Sequence, residues 1–152
     1  MKLEDEIQQT RFESEFQKAV LNVMVMSDRL GAASNAALKA FRISKEQYNV
    51  LRILRGQHPQ ASTLQSVTDR MISKSSNATR LVEKLRQRGF VKRETCPSNR
   101  RRVDISITRE GLALLEELDP LVQASIARYE ALTEAEAAEL NRLLDKMRSV
   151  NR

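Results

Sequence analysis

Residues 73–107 read SKSSNATRLVEKLRQRGFVKRETCPSNRRRVDISI, and the apolar period changes within them. Ala78, Leu81, Val82 and Leu85 recur at i, i+3, i+4 and i+7, which places them on one face of a helix. Ser76, Asn77, Arg80, Lys84 and Gln87 project from roughly the opposite face. Gly89 falls where a helix C-cap is expected. Further on the period is two: Val103, Ile105 and Ile107 alternate with Arg102, Asp104 and Ser106, the pattern of a half-buried strand. Residues 90–94 offer a partner strand, and Cys96, Pro97, Ser98 and Asn99 supply turn chemistry between the two. The spacing predicts a short helix from Lys74 or Ser75 to Arg88, then a β-hairpin with Arg100, Arg101 and Arg102 at or just past its tip.

An amphipathic helix with a charged outer face is, taken alone, as well explained by solvation as by function. The tip cluster is different, because three neighbouring arginines repel one another and bury nothing. As contacts to phosphates or to a minor groove they have a purpose. Charge distribution agrees. The net charge is +6 and the pI near 9.8, with 12 Lys/Arg against 5 Asp/Glu in residues 61–110. Residues 1–60 are only mildly basic, and residues 111–152 are acidic. The excess is therefore confined to the helix and hairpin. A membrane-surface binder would more often spread such charge along one amphipathic helix.

A companion helix lies upstream. Ser62-Thr63-Leu64-Gln65 has the capping-box spacing, with Ser62 at the N-cap and Gln65 at N3, and Leu64, Val67 and Met71 follow at helical intervals. A third capped helix precedes it: Ser44 to Gln47, with Tyr48, Leu51 and Leu54 facing inward and Gly56 and Pro59 ending it. Two short helices joined by a tight turn of about four residues and followed by a basic hairpin make a winged helix-turn-helix.

Residues 44–118 closely resemble the MarR family of bacterial winged-helix regulators. The matching strings are TRLVEKL at 79–85, RGFVKR at 88–93, Asn99-Arg100-Arg101, and ITREG at 107–111. In the family these correspond to the recognition helix, its glycine stop, the wing, and the Thr-x-x-Gly opening of the next helix. The family's wing usually carries Asp before its paired arginines. Here the residue is Asn99, so wing rigidity is the feature this departure puts in question. The resemblance implies a mainly α, α+β fold: a winged helix-turn-helix whose long N- and C-terminal helices form a dimerisation region. It implies dimerisation helices over 1–40 and 111–152 and a DNA-binding region over 41–110, within one continuous compact unit.

The ends fit that plan. Phe12, Phe16, Ala19, Val20, Val23 and Met24 form a stripe on a long first helix, and Leu112, Leu115, Leu118, Leu121, Val122 and Ile126 form another. Asp119-Pro120 interrupts the second, predicting either a kink or a stop with Asp119 as the next N-cap. Thr133 to Glu136 is a capping box opening a last helix with Leu140, Leu143, Leu144 and Met147. Such stripes are ordinarily core, yet the terminal helices of a small chain have little else to pack on. The small-residue segment 31–37 reads as a joint between helices or a second short helix.

Composition sets the remaining bounds. With 152 residues, 41% apolar and 30% charged, the chain is globular and can hold a core of several helices. No apolar run is long enough to span a bilayer, and the acidic, polar N-terminus does not read as a signal peptide. A single cysteine excludes an internal disulfide and suits a reducing cytoplasm. The only histidine, His58, sits beside Pro59, so no His cluster can hold zinc. No phosphate loop, Gly-x-Ser-x-Gly or Cys-His pair appears. An enzyme, a metal site and a cofactor are not expected. RNA is disfavoured by 4% aromatics and no tryptophan for stacking.

The expectation is a homodimeric, sequence-specific repressor on double-stranded DNA, in the cytoplasm. Lys74, Ser75, Ser76, Asn77, Arg80 and Lys84 are the expected groove contacts, and Arg100, Arg101 and Arg102 the wing contacts. Two-fold symmetry asks for a pseudo-palindromic operator with half-sites about one turn, ~10 bp, apart. Relief by a small apolar or phenolic effector, bound between the DNA-binding and dimer regions, is what the resemblance implies. A regulator without such an inducer, and a helical protein-interaction module, are the alternatives. Cys96, at the wing turn without a resolving partner, is expected to be incidental rather than an oxidant sensor.

Overall fold

A computed structural model describes residues 1–96, 99–127 and 131–149, and of residues 96 and 99–102 the backbone alone. The helices are α1 (Leu3–Ile7), α2 (Glu15–Leu38), α3 (Lys45–Arg55), α4 (Leu64–Arg70), α5 (Ala78–Gln87), α6 (Arg109–Ala127) and α7 (Glu134–Ser149). The strands are β1 (Ser62–Thr63), β2 (Val91–Cys96) and β3 (Asn99–Ile107). They form one antiparallel sheet in the order β1-β3-β2. Ser62 pairs with Ile105, Val91 with Ile107 and Thr95 with Val103.

The core forms where α3, α4, α5, the sheet and α6 meet. Val50, Leu51 and Leu54 of α3, Val67 of α4, Val82 and Leu85 of α5, Ile105 of β3, and Leu115 and Leu118 of α6 lie in it. Each such side chain removed from water contributes about 1.5–3 kcal/mol. The caps explain where helices begin. Ser44 and Gln47 form the predicted capping box: the Ser44 Oγ accepts the Gln47 N–H at 3.2 Å, and the Gln47 Oε1 accepts the Ser44 N–H at 2.9 Å. Thr133 and Glu136 repeat the device at α7.

Several expectations are corrected. Ser62 is not a cap. It is a buried strand residue, and Thr63 caps α4 by accepting the Ser66 N–H at 3.1 Å. Strand pairing to β3 claims Ser62 and moves the helix start one residue on. The long first helix begins at Glu15, after a Ser14 cap, so Phe12 precedes it. Segment 31–37 is neither a joint nor a separate helix, because α2 runs through it to Leu38; its alanines are strong helix formers. α6 likewise runs through Pro120, so Asp119 does not start a new helix.

Asp119 has another task. Its carboxylate accepts the Tyr48 hydroxyl at 2.6 Å and the Arg55 guanidinium at 2.5 Å, tying α6 to α3. α6 also packs along α2. On α6, Leu115, Leu118 and Val122 are buried, whereas Leu121 is exposed. The other terminal stripes are not core within one chain. Phe16 is 86% exposed and Met24 60%; Val20, Val23, Leu140, Leu143 and Met147 are exposed with them. α7 buries none of its residues.

Candidate nucleic-acid interface

The segment before α5 is a turn, not the first turn of the helix. Met71 is buried, Ile72 is 89% exposed, and residues 73–77 close the turn with their own side chains. The Ser76 hydroxyl donates to the Ser73 Oγ at 2.9 Å, and the Ser75 Oγ lies 3.4 Å from the Ser73 Oγ. Asn77 is the N-cap, its Oδ1 accepting the Arg80 N–H at 3.0 Å. The helix predicted from Lys74 or Ser75 therefore starts at Ala78. Short polar side chains that hydrogen-bond the local backbone favour caps and turns over helix interior. The predicted four-residue link between the two helices is accordingly seven residues long, 71–77.

α5 buries Ala78, Val82 and Leu85, with Leu81 half-buried beside them. Thr79, Arg80, Lys84 and Gln87 line its outer side, and all four are exposed. Arg86 is exposed too, but its guanidinium forks onto Glu83 at 3.0 and 2.8 Å, which holds the Glu83 carboxyl below its ordinary range. The helix ends in a Schellman motif. Gly89 adopts φ +78°, its N–H donates to Arg86 O at 2.9 Å, and the Phe90 N–H donates to Leu85 O at 3.0 Å. The predicted glycine stop is thus present, one residue past the cap at Arg88.

The expected site residues separate into groups. Arg80, Lys84 and Ser75 lie on the outer side of the turn and helix. Asn77 and Ser76 are committed to the cap and the turn. Lys74 turns its ammonium back onto the carbonyl oxygens of Thr68 and Asp69 at the end of α4. Arg100, Arg101 and Arg102 lie on β3 by their backbone; their side chains and the turn at 97–98 are outside the described residues. Ile72, Thr79 and Arg93 are exposed near the same surface, and the sequence does not single them out. Nothing in their spacing sets them apart, since exposure in a turn or at a strand edge comes from tertiary packing.

A cavity of about 310 Å³ lies between α4, α5 and the hairpin. Leu64, Val82, Val103 and Ile105 give it an apolar floor, and Gln65, Thr79 and Arg93 a polar rim. It lies inside the helix-hairpin unit rather than between that unit and the terminal helices. Among the described residues there is no group of three or more His, Cys, Asp or Glu placed to hold a metal, and no helix long and apolar enough to cross a membrane.

Three helices, a capped turn before the third, and a three-stranded sheet whose long hairpin follows that helix define a winged helix-turn-helix protein. The MarR family profile matches residues 43–103. The crystal structure of a MarR transcription factor from Planctomyces limnophilus is 35% identical, covering 91% of this chain and 98% of that one with a TM-score of 0.69. This chain belongs to the MarR family of transcription regulators. It is also similar to the uncharacterized HTH-type transcriptional regulator YkoM of Bacillus subtilis, 33% identical over 66% of this chain. The HTH-type transcriptional repressor IacR of Pseudomonas putida is 28% identical over 71% of this chain. In each of these two cases the match spans 64% of the regulator's own length.

Proposed function

We propose that this chain is a cytoplasmic, homodimeric, sequence-specific DNA-binding repressor. The observation that carries the reading is α5: a buried face of Ala78, Val82 and Leu85 holds Arg80 and Lys84 outward, next to the arginine-bearing hairpin. A helix of this width fits a major groove, where an arginine can read a guanine edge with two hydrogen bonds. The wing arginines Arg100, Arg101 and Arg102 supply phosphate or minor-groove contacts beside it. The likeness to a repressor, IacR, supports the direction of regulation.

Dimerisation is supported by the terminal helices. Phe16, Val20 and Met24 on α2 and Leu140, Leu143 and Met147 on α7 are exposed apolar side chains for which a second copy is the partner. An isologous pair of such faces relates two α5 helices by a two-fold axis and so requires a pseudo-palindromic operator. A small apolar or phenolic effector completes the proposal. The cavity with its apolar floor and the Arg93 rim offers such a ligand a place inside the helix-hairpin unit, not between that unit and the terminal helices where the resemblance puts it.

The test is a mobility shift with the DNA upstream of the chain's own gene, at stated salt and against unrelated duplex. Retardation of the upstream fragment at a protein concentration that leaves unrelated duplex free is the expected result. Equal retardation of both sinks the sequence-specific reading.

A further inference from the structure

An open surface groove of about 480 Å³ lies on the opposite side of α5 from the first cavity, lined by Arg42, Gln47, Lys84, Gln87 and Arg88. Its character is different, for three of its five residues are cations and none is apolar. Arg88 is fixed in place: its guanidinium donates to the carbonyl oxygens of Arg42 at 2.7 Å and Phe41 at 2.9 Å and stacks 4.9 Å from the centre of the Phe90 ring. These partners orient the charge without neutralising it. Among the described residues no carboxylate pairs with Arg42, Lys84 or Arg88; the nearest acid on the helix, Glu83, is taken by Arg86. Gln47 is 7% exposed, and its Oε1 is spent on the Ser44 cap. Its amide N–H₂, the side chain's only donor group, has no protein partner among the described residues and belongs to a residue of the groove wall.

Three exposed cations without a carboxylate partner and one unspent amide donor line one concave surface. Like charges held together raise the energy of the empty site, and an anion relieves that cost. A tetrahedral oxyanion suits the set, since guanidinium, ammonium and amide groups all donate and each phosphate oxygen accepts. The geometry points to a binding site for a phosphate group between α5 and the start of α3, at Arg42, Gln47, Lys84 and Arg88. The group has two sources, a free phosphorylated small molecule or a phosphate of a DNA backbone. Arg80, Lys84 and Arg88 recur at i, i+4 and i+8, one stripe about 12 Å long that runs along α5 to its C-cap. A free anion in the cleft therefore sets negative charge at the end of the stripe that the proposed DNA reading uses, and opposes DNA there. The site itself does not rest on that reading.

The experiment uses the full chain, isotopically labelled, with inorganic pyrophosphate as the probe at constant ionic strength balanced by sodium chloride. The Gln47 side-chain amide and the Nε–H groups of Arg42 and Arg88 report on the site by NMR. Saturable shifts of these signals with pyrophosphate, absent with chloride, are expected. Lys84→Gln, a change to another good helix former, should weaken the pyrophosphate affinity by about tenfold or more, and Arg42→Asn should do the same while tolerating the left-handed backbone there (φ 53°). A second arm adds a short unrelated duplex in place of pyrophosphate. Shifts with pyrophosphate alone assign the site to a free phosphorylated molecule, and shifts with duplex assign it to a backbone phosphate. Signals that respond to neither, that follow chloride equally, or that keep wild-type pyrophosphate affinity in both variants overturn the proposal. Loss of sequence-specific DNA binding with an intact pyrophosphate response would count against the repressor reading only.

Discussion

The Thr108 hydroxyl donates to the Gly89 carbonyl oxygen at 2.7 Å, and its own Oγ1 accepts the Gly111 N–H at 3.1 Å. One side chain thus joins the end of α5 to the beginning of α6. The Thr108 N–H donates to Phe90 O at 3.1 Å beside it. The Thr-x-x-Gly string has a physical reason: threonine caps α6 and bridges to the glycine stop, and the glycine lets the Phe90 carbonyl come close. A Cβ at Gly111 would collide with that backbone oxygen and crowd the Ile107 side chain.

Gly111→Ala is expected to destabilise the fold by about 1–3 kcal/mol, because the obstacle is backbone and cannot rotate away. Gly89→Ala is expected to cost about 1–2 kcal/mol for a different reason: the space is open, but φ is +78°. Urea denaturation followed by circular dichroism reads both. A Gly111→Ala protein as stable as wild type contradicts the packing described.

Asp119 links stability to pH. Burial pushes its carboxyl up, but the Tyr48 hydroxyl and the Arg55 guanidinium outweigh that and hold it below its ordinary value. A carboxyl depressed in the folded state stabilises above its unfolded pKa, and the contribution is lost as pH falls through the folded one. Asp119→Asn should therefore be less stable than wild type at neutral pH, with the difference vanishing only in strong acid. Tyr48 runs the other way. Burial and the Asp119 bond push its hydroxyl up to about 12, so its stabilisation is complete below about pH 10 and fades as pH rises toward that value. Urea midpoints across pH for wild type, Asp119→Asn and Tyr48→Phe check both directions.

Arg80→Ala should cost about 1–3 kcal/mol in operator binding and leave the fold intact, since the Arg80 side chain is exposed and only its backbone N–H meets the cap. Fluorescence anisotropy with operator and mutated half-sites measures it. Unchanged affinity would remove α5 from the readout role.

The double variant Arg100→Ala with Arg101→Ala should weaken binding to all duplexes alike. The slope of log affinity against log salt should become shallower by about 0.9 for each phosphate that the wing no longer neutralises. A wild-type slope in the double variant means that the wing does not touch phosphate.

Removing residues 1–24 should break the dimer and abolish tight operator binding, because it takes away Phe16, Val20 and Met24. A milder change, Phe16→Asp with Met24→Asp, should separate the subunits without shortening α2. Sedimentation velocity at micromolar concentration distinguishes the outcomes, and a monomeric wild type would defeat the symmetric-operator model.

Local pattern placed these features: apolar period the α5 face and the strand at Val103, Ile105 and Ile107, cap spacing the Ser44 and Thr133 boxes, and glycine chemistry the Gly89 stop. These are local: each depends on residues within a few positions, where helical and strand geometry leave few choices. The family strings added the expectation that the terminal helices pair in a dimer. Tertiary structure decided what depends on distant partners. Ser62 became a strand residue because Ile105 was there to pair with it. Asp119 became a link between helices because Tyr48 and Arg55 stand opposite, 71 and 64 residues away in sequence. α2 continued through its small residues, whose alanines favour helix, and α6 continued through its proline while packed along α2. The cationic cleft joins Arg42 and Gln47 to Lys84 and Arg88, which are far apart in sequence, and no local pattern carries such a meeting. Periodicity records which side of an element is apolar; only the packed chain determines which polar side chains on different elements come to share one surface.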